Sequence, residues 1–254
     1  MKFGYLAGAL AAGALLAACS SAYAAPAAGK SIADAVASPA RPAADKALDA
    51  ARKPAELMKF IHLKAGQKIV DVFPGPYWDR MFSDVVGPDG KVFMFLPTEI
   101  IKAEGMSKTA PANNTQPFPD HPNVTALVSP VNAMAIPEKV DVVWIRQNYH
   151  DLYDPFMGPA NVPAFNKLVF NALKKGGLYV IIDHSAPARS GLEDTNTTHR
   201  IDAAVVKLDM AAAGFKFVGE SNVLRNKADP RDKLVFDKSI RGKTDQFVYV
   251  FKKP

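Results

Sequence analysis

The chain of 254 residues has only one cysteine, Cys19, so it has no internal disulfide. It also lacks clustered Cys and His residues, a G-x-S-x-G nucleophile turn and a G-x-x-x-x-G-K-[ST] phosphate loop. No motif therefore supports a hydrolase or an ATPase. The formal net charge is +6, but the Lys and Arg residues are scattered among Asp and Glu and form no long basic run. The sequence predicts no nucleic-acid partner.

The N-terminus has the composition of an export signal. Residues 1–24 begin with one lysine, continue as a short apolar stretch and end in small residues, which predicts a secretory signal peptide. Two cleavage sites remain open. The sequence Leu-Ala-Ala-Cys ending at Cys19 resembles a lipobox and would give a lipoprotein anchored in the membrane. Ala22-Tyr23-Ala24 would release a soluble periplasmic protein.

Beyond the signal peptide, the pattern predicts one α/β domain. Residues 25–40 are rich in Ala, Ser and Pro and predict a flexible tether, and the domain is expected over residues 41–254. Short apolar strands alternate with amphipathic helices, which is typical of a mostly parallel sheet covered on both faces. Gly176-Gly177 is expected to close one helix, and Thr198 to cap the next. The last two strands predict an antiparallel pair. Ligands of such sheets bind beyond the carboxyl ends of the strands.

The most polar of these strand ends is "RQNYHDLYD". His150 is a candidate general base, and Asp151 a carboxylate that orients it; the alternative is that both cap the following helix. The predicted fold also brings His184 and His199 to the same edge of the sheet. Imidazole and carboxylate groups can bind a divalent cation, but these spacings match no compact metal motif, so the sequence assigns no metal.

Six segments together resemble class I S-adenosylmethionine-dependent methyltransferases. They are "VDVFPGPYW", "NYHDLYD", "LKKGGLYVIIDHSA", "THRID", "AAGF" and "TDQFVYVFKKP". The resemblance is closest to a bacterial "predicted methyltransferase" group whose members often carry signal peptides. It implies a Rossmann-like domain with a mostly parallel seven-stranded sheet and an antiparallel edge strand. It also implies S-adenosylmethionine as cofactor and a small-molecule methyl acceptor.

The resemblance implies a modified cofactor loop. The family's acidic residue corresponds to Asp71, and its three glycines to Phe73, Gly75 and Tyr77. Glycine reaches φ > 0 without steric cost, so two aromatic residues are a marked departure. Further positions implied for the cofactor are Glu99, facing the ribose, and Asn148.

For the methyl acceptor, the resemblance implies His184, His199 and Arg200. Arg200 either binds a substrate anion or pairs with Asp202 or Asp194. The altered loop and the export signal leave a second function open, a non-catalytic binding protein of the cell envelope on a methyltransferase fold.

The export prediction is tested by mass spectrometry of the N-terminus of protein recovered from its native host. We expect either a lipidated Cys19 or a chain beginning at Ala25. An intact Met1 in the recovered protein would contradict both forms.

Overall fold

A computed structural model describes residue 1 and residues 28–103, 118–158 and 160–254 of the chain. Cys19 and almost all of the predicted signal peptide lie outside these ranges. Within the described residues, no helix combines the length and apolarity needed to cross a membrane.

The described residues form a seven-stranded sheet with the order β3-β2-β1-β4-β5-β7-β6. Strands β1 to β5 are parallel, whereas β7 runs antiparallel between β5 and β6. This confirms the predicted α/β fold, the seven strands and the antiparallel pair. The strands are β1 Lys68–Val72, β2 Lys91–Pro97, β3 Val124–Ser129, β4 Val140–Arg146, β5 Leu173–His184, β6 Lys216–Ser221 and β7 Gln246–Lys252.

Helices cover both faces of the sheet because the central strands are apolar on both sides. On one face Trp78, Phe82 and Trp144 belong to a cluster with the first helices of the chain. On the other face Phe165, Val169 and other buried residues of the later helices pack against the sheet. The α-helices are α1 Ile32–Ala37, α2 Ala43–Lys46, α3 Asp49–Arg52, α4 Pro54–Phe60, α5 Pro76–Val86, α6 Thr98–Lys102, α7 Val162–Ala172, α8 Thr195–Thr198 and α9 Ala203–Ala213. Short 3₁₀ turns occupy Val131–Ala133, His150–Tyr153 and Pro155–Met157.

The domain begins earlier than the sequence predicts. The Ser31 side chain caps α1 by accepting a hydrogen bond from the Asp34 backbone N–H, and Ala35 is completely buried against the domain. Lys30 forms a salt bridge of 2.9 Å with Asp84 of α5. Residues 28–40 therefore belong to the folded domain, and the predicted tether is wrong for this part. The Ala- and Ser-rich composition concealed a helix that is stabilised by packing.

Two helix boundaries also differ from those predicted. Helix α7 ends at Ala172, and the Gly176-Gly177 pair lies inside β5, which begins at Leu173. Helix α9 is capped by Asp202, whose carboxylate accepts a hydrogen bond from the Ala204 N–H. Thr198 instead ends the short helix α8. Asp and Thr both favour the cap position, but Asp is the stronger cap, and Asp202 lies nearer to the apolar stretch of α9 than Thr198 does.

The order of the strands locates the site. The chain proceeds from β1 outward to β3 and then returns to β4 on the other side of β1. Beyond the carboxyl ends of β1 and β4 the two halves of the sheet diverge, and such a switch point is where open α/β sheets bind ligands. The loops after β1, β4 and β5 meet there.

Candidate functional site

A first cleft, of about 340 Å³, lies at the carboxyl ends of β1 and β4. Six of its lining residues come from the end of β1, the loop after it and the start of α5, and three come from the end of β4 and the loop after it. The structure thus brings together all of the residues predicted in the first loop and one after β4: Asp71, Phe73, Gly75, Tyr77 and Asn148.

Phe73 adopts the left-handed backbone conformation, with a φ of 57°. This is the position at which the methyltransferase pattern has its first glycine. A bulky residue in this region costs roughly 1 kcal/mol or more, whereas glycine adopts the conformation without steric cost. Strain of this kind accumulates at functional sites, where the surrounding structure enforces it.

Gly75 has an extended backbone, with a φ of −144° and a ψ of 135°. A Cβ atom at this position would meet no other atom within 4 Å. The glycine is therefore not required by its backbone conformation or by its neighbours in the protein. The open space beside it lies at the cleft that it lines. Pro76 follows as the first residue of α5, where its missing N–H costs the helix nothing.

Two acidic side chains are buried together beneath this loop. Asp71 is 2 % exposed and Asp79 is 0 % exposed. Burial, followed by the nearby charge of Asp79, raises the pKa of Asp71 well above its usual range. Burial likewise raises the pKa of Asp79 to about 8. At neutral pH the pair therefore holds at least one proton, since two buried carboxylates repel each other.

Two arginines line the cleft together with Asp45 and Asp71. Burial, and then the charge of Arg52, lowers the pKa of Arg146 to about 9. Arg146 donates to the Gln147 side chain at 2.6 Å, but it forms no salt bridge with a carboxylate in the described parts of the chain, and its Nε has no partner there. Arg52 stacks on the Tyr77 ring, 4.4 Å from the ring centroid. A desolvated guanidinium without a carboxylate partner is a site prepared for an anion.

A second cleft, of about 710 Å³, adjoins the first. The two share Gln147 and Asn148 in the loop after β4. One side of the second cleft is apolar, and the other carries polar side chains from the loops after β4 and β5. The residues that line it are Ile100, Ala103, Gln147, Asn148, His150, Asp151, Phe156, His184, His199, Val235 and Phe236.

The His150 ring is fixed from both sides. Its Nδ1 lies 2.9 Å from Oδ1 of Asp183, whose Oδ2 accepts the His150 backbone N–H at 2.8 Å. Its Nε2 lies 3.1 Å from Nδ1 of His199 and 3.2 Å from Oδ1 of Asp151. Burial opposes a charge on the ring, but the charges of Asp183 and Asp151 outweigh it and raise the pKa of His150 well above its ordinary value.

Asp151 continues this network. Its Oδ1 is 3.6 Å from Nδ1 of His199, and its Oδ2 accepts a hydrogen bond of 2.6 Å from Asn148. Burial opposes ionisation, but the bonds from His150 and His199 lower the pKa of Asp151 below its usual range. The His150 side chain is only 2 % exposed, whereas that of His199 is 27 % exposed. His199 is therefore the member of the group that a bound molecule reaches most easily.

His184 lines the same cleft but is bound differently. Its Nδ1 lies 2.7 Å from the Thr244 hydroxyl. Burial, together with the neighbouring charge of His150, lowers the pKa of His184 well below its ordinary value, so this ring is neutral.

Arg200 does not reach either cleft. Its guanidinium is completely buried and forms a two-bond salt bridge with Asp229, at 2.8 Å and 3.1 Å. It also donates to the Ser185 carbonyl. The predicted substrate contact is wrong, because the guanidinium is completely buried and lines neither cleft, and the predicted partners Asp202 and Asp194 are wrong as well.

Glu99 also lies outside both clefts. Its carboxylate accepts the Val131 backbone N–H at 3.0 Å and 3.1 Å and so caps the turn after β3. A contact between Glu99 and the ribose stays a prediction, although both oxygens of Glu99 already accept the Val131 N–H.

Sequence reasoning did not assign a role to Arg52, Arg146 or Asp154. Arg146 was visible as a charged residue at the end of an apolar strand, which places it at the ligand-binding edge. Asp154 belongs to the same polar segment as His150. No local signal marks Arg52, since it reaches the cleft from a short helix far from the strand ends.

Three solved structures share this architecture along almost their whole length. A SAM-dependent methyltransferase from Aquifex aeolicus is 20% identical, covers 84% of this chain and 98% of its own, and has a TM-score of 0.54. The N-methyltransferase NodS from Bradyrhizobium japonicum is 11% identical over 83% of this chain and 98% of its own, with a TM-score of 0.51. An S-adenosylmethionine-dependent methyltransferase from Mesorhizobium loti is 16% identical over 81% and 99%, with a TM-score of 0.50.

The chain has the methyltransferase fold. At these identities the likeness establishes the fold alone. No protein-family model matches the sequence, and no curated protein matches it. Within the methyltransferase fold, the first cleft lies at the loop after β1 and the second at the loops after β4 and β5.

The buried acid pair makes the stability of the protein depend on pH, and Asp79→Asn should weaken that dependence. The pKa of Asp79 is about 8 in the folded protein, against an ordinary value of 3.8. Its contribution to stability is therefore complete at low pH and is lost as pH rises towards 8, by up to about 1.4 kcal/mol per pH unit. We expect Asp79→Asn to raise the melting temperature more at pH 8 than at pH 5.

The matched control is Asp89→Asn, at an exposed turn before β2. It should leave the slope of melting temperature against pH unchanged. An Asp79→Asn slope equal to that of the wild type would contradict the shifted titration.

Proposed function

We propose that the protein is an S-adenosylmethionine-dependent methyltransferase that acts on a small molecule. The observation that carries the proposal is the arrangement of the two clefts. The first carries Arg52 and Arg146 and lies at the loop after β1, the second holds a His and Asp cluster, and they share Gln147 and Asn148. A donor in one cleft is thereby presented directly to an acceptor in the other, and methyl transfer depends on such alignment.

The residues of the first cleft fit the amino-acid end of the cofactor. Its carboxylate matches the guanidinium groups of Arg146 and Arg52, which line the cleft. A carboxylate at this loop needs hydrogen-bond donors, and Pro76 has no backbone N–H to offer. The two arginines would supply the donors instead. The open space beside Gly75 leaves room for the ligand to approach the loop. The aromatic residues Phe73 and Tyr77 narrow the cleft, so we expect weaker binding than in a loop with three glycines.

The residues of the second cleft suit a partly apolar acceptor with a nucleophilic oxygen or nitrogen. Phe156, Val235 and Phe236 supply apolar walls, and the His and Asp cluster stands opposite. S-adenosylmethionine, when bound, supplies an electrophilic methyl group. An acceptor hydroxyl or amine that takes this methyl group would release a proton. His199 is the most accessible group to receive it, with His150 and Asp183 behind it.

Export to the cell envelope is part of the proposal. It is supported by the signal-peptide pattern of residues 1–24, with attachment through Cys19 or release as a soluble periplasmic protein. The alternative, a non-catalytic binding protein of the envelope, is supported by Phe73 and Pro76 in the cofactor loop. Cofactor binding separates the two.

Calorimetric titration with S-adenosylhomocysteine tests the cofactor site. We expect one molecule per chain, and loss of binding in Gly75→Val and Arg146→Met. Valine adds bulk where the protein leaves empty space. The extended backbone of Gly75 suits a β-branched residue, so the variant should fold normally. Methionine removes the charge while keeping most of the side-chain length. His150→Ala should retain binding, since it alters the second cleft, and should abolish any methyl transfer.

The control is Gly219→Val, in edge strand β6, where a Cβ atom meets only Phe60 at 3.7 Å. It should bind like the wild type. If the wild type does not bind the cofactor product at millimolar concentration, the catalytic proposal is lost and the binding-protein alternative takes its place.

A further inference from the structure

Four side chains converge at the base of the second cleft. His150, Asp151, Asp154 and His199 each offer one ligand atom, and the four atoms all lie within 4.8 Å of one another. We infer that this group is a binding site for one divalent transition-metal ion, which we call the cation site. Neither the protein fold nor the proposed reaction requires such an ion.

The separations of the ligand atoms match those around a metal. His150 Nε2 lies 3.1 Å from His199 Nδ1 and 3.2 Å from Asp151 Oδ1. His199 Nδ1 and Asp151 Oδ1 are 3.6 Å apart. Nitrogen and oxygen ligands at about 2.0–2.2 Å from a tetrahedral zinc are roughly 3.3 Å apart. A point about 2.1 Å from all three atoms exists just outside their plane.

Second-layer bonds hold the ligands in orientation. The carboxylate of Asp183 accepts the His150 Nδ1–H at 2.9 Å, which leaves the Nε2 lone pair directed at the cation site. The side chain of Asn148 holds the other oxygen of Asp151 at 2.6 Å. Metal-binding histidines and carboxylates are usually held in this way, by a carboxylate behind the ring and a hydrogen bond behind the ligating oxygen.

Asp154 supplies an independent observation. The residue is only 1 % exposed, and its carboxylate oxygens make no hydrogen bond of good geometry in the described structure; the Thr195 side chain is a weaker polar neighbour. A buried carboxylate without good partners is costly. With Asp151 it places two acidic groups beside two imidazoles, and two carboxylates balance the charge of a divalent cation. The weakly paired Asp154 is therefore explained by a cation that the other three residues also face.

The ligand types select the metal. Imidazole favours zinc, iron, nickel and copper, whereas magnesium and calcium prefer sites made of oxygen alone. We expect Zn²⁺ to bind far more tightly than Mg²⁺. Since His199 also borders the open cleft, the ion can reach a bound acceptor and lower the pKa of its hydroxyl group as a Lewis acid. This role rests on the proposed function, whereas binding of the ion does not.

The test is calorimetric titration of the purified, metal-stripped protein with Zn²⁺, followed by the visible spectrum of the Co²⁺ form. We expect one Zn²⁺ per chain, Co²⁺ bands of a four- or five-coordinate site, and no comparable binding of Mg²⁺. His199→Ala and Asp154→Asn should weaken Zn²⁺ binding by more than about 100-fold, and Asp183→Asn by about 10- to 100-fold. These variants are chosen because His199 is partly exposed and the other two changes keep the side-chain shape.

His62→Ala is the matched control, because His62 is exposed and outside both clefts. It should bind Zn²⁺ like the wild type. Absence of Zn²⁺ binding, or binding that His199→Ala and Asp154→Asn retain, would overturn the cation site. The cluster would then be a network of hydrogen bonds that holds no metal ion. Titration with S-adenosylhomocysteine in the absence of metal is independent of this outcome, so failure of the cation site and failure of the proposed function can be told apart.

Discussion

The carboxylate of Asp183 is the contact on which the second cleft depends. It is completely buried at the end of β5 and accepts three hydrogen bonds, from the backbone and ring of His150 and from the His184 N–H. Two of these bonds join the loop after β4 to the end of β5. Because one buried carboxylate fixes the position and the tautomer of His150, it also fixes where Asp151 and His199 can stand.

The rest of the cleft is held by a second buried charge. The ion pair of Arg200 and Asp229 joins the start of α9 to the long segment before β7, and the Val235 N–H bonds to the Thr198 carbonyl. That segment carries Phe236, whose ring lies 5.2 Å from His199. Breaking a buried ion pair is costly because it leaves an uncompensated charge. The pair therefore holds the segment that carries Phe236 in place beside the cleft. Arg200 thus builds the site without touching a ligand.

Three of the seven non-glycine residues with a positive φ in the described structure lie in the same region. Phe73, Gln147 and His199 all have a positive φ, and each lines one or both clefts. Residues other than glycine hold this conformation only where the surrounding structure enforces it. Phe73 therefore holds, at a cost in backbone strain, a conformation that glycine would adopt without one.

The alternation of apolar strands and amphipathic helices was enough to predict all seven strands and the α/β fold, because sheet burial imposes a periodic pattern. The strand-end rule also brought His150, Asp151, His184 and His199 to one place. Other features depend on packing between distant residues. The partner of Arg200 lies 29 residues away, and Arg52 reaches the cleft from a short helix. The helix near Ala35 is stabilised by tertiary contacts rather than by its own composition.

The central claim is that the two clefts form one site joined at Asn148. Hydrogen exchange of the protein with and without S-adenosylhomocysteine tests this most directly. The account predicts added protection in residues 71–79, after β1, and in residues 146–151, after β4, which border the first cleft and the junction. Protection confined to other parts of the chain, or ligand binding without protection of both loops, would contradict it.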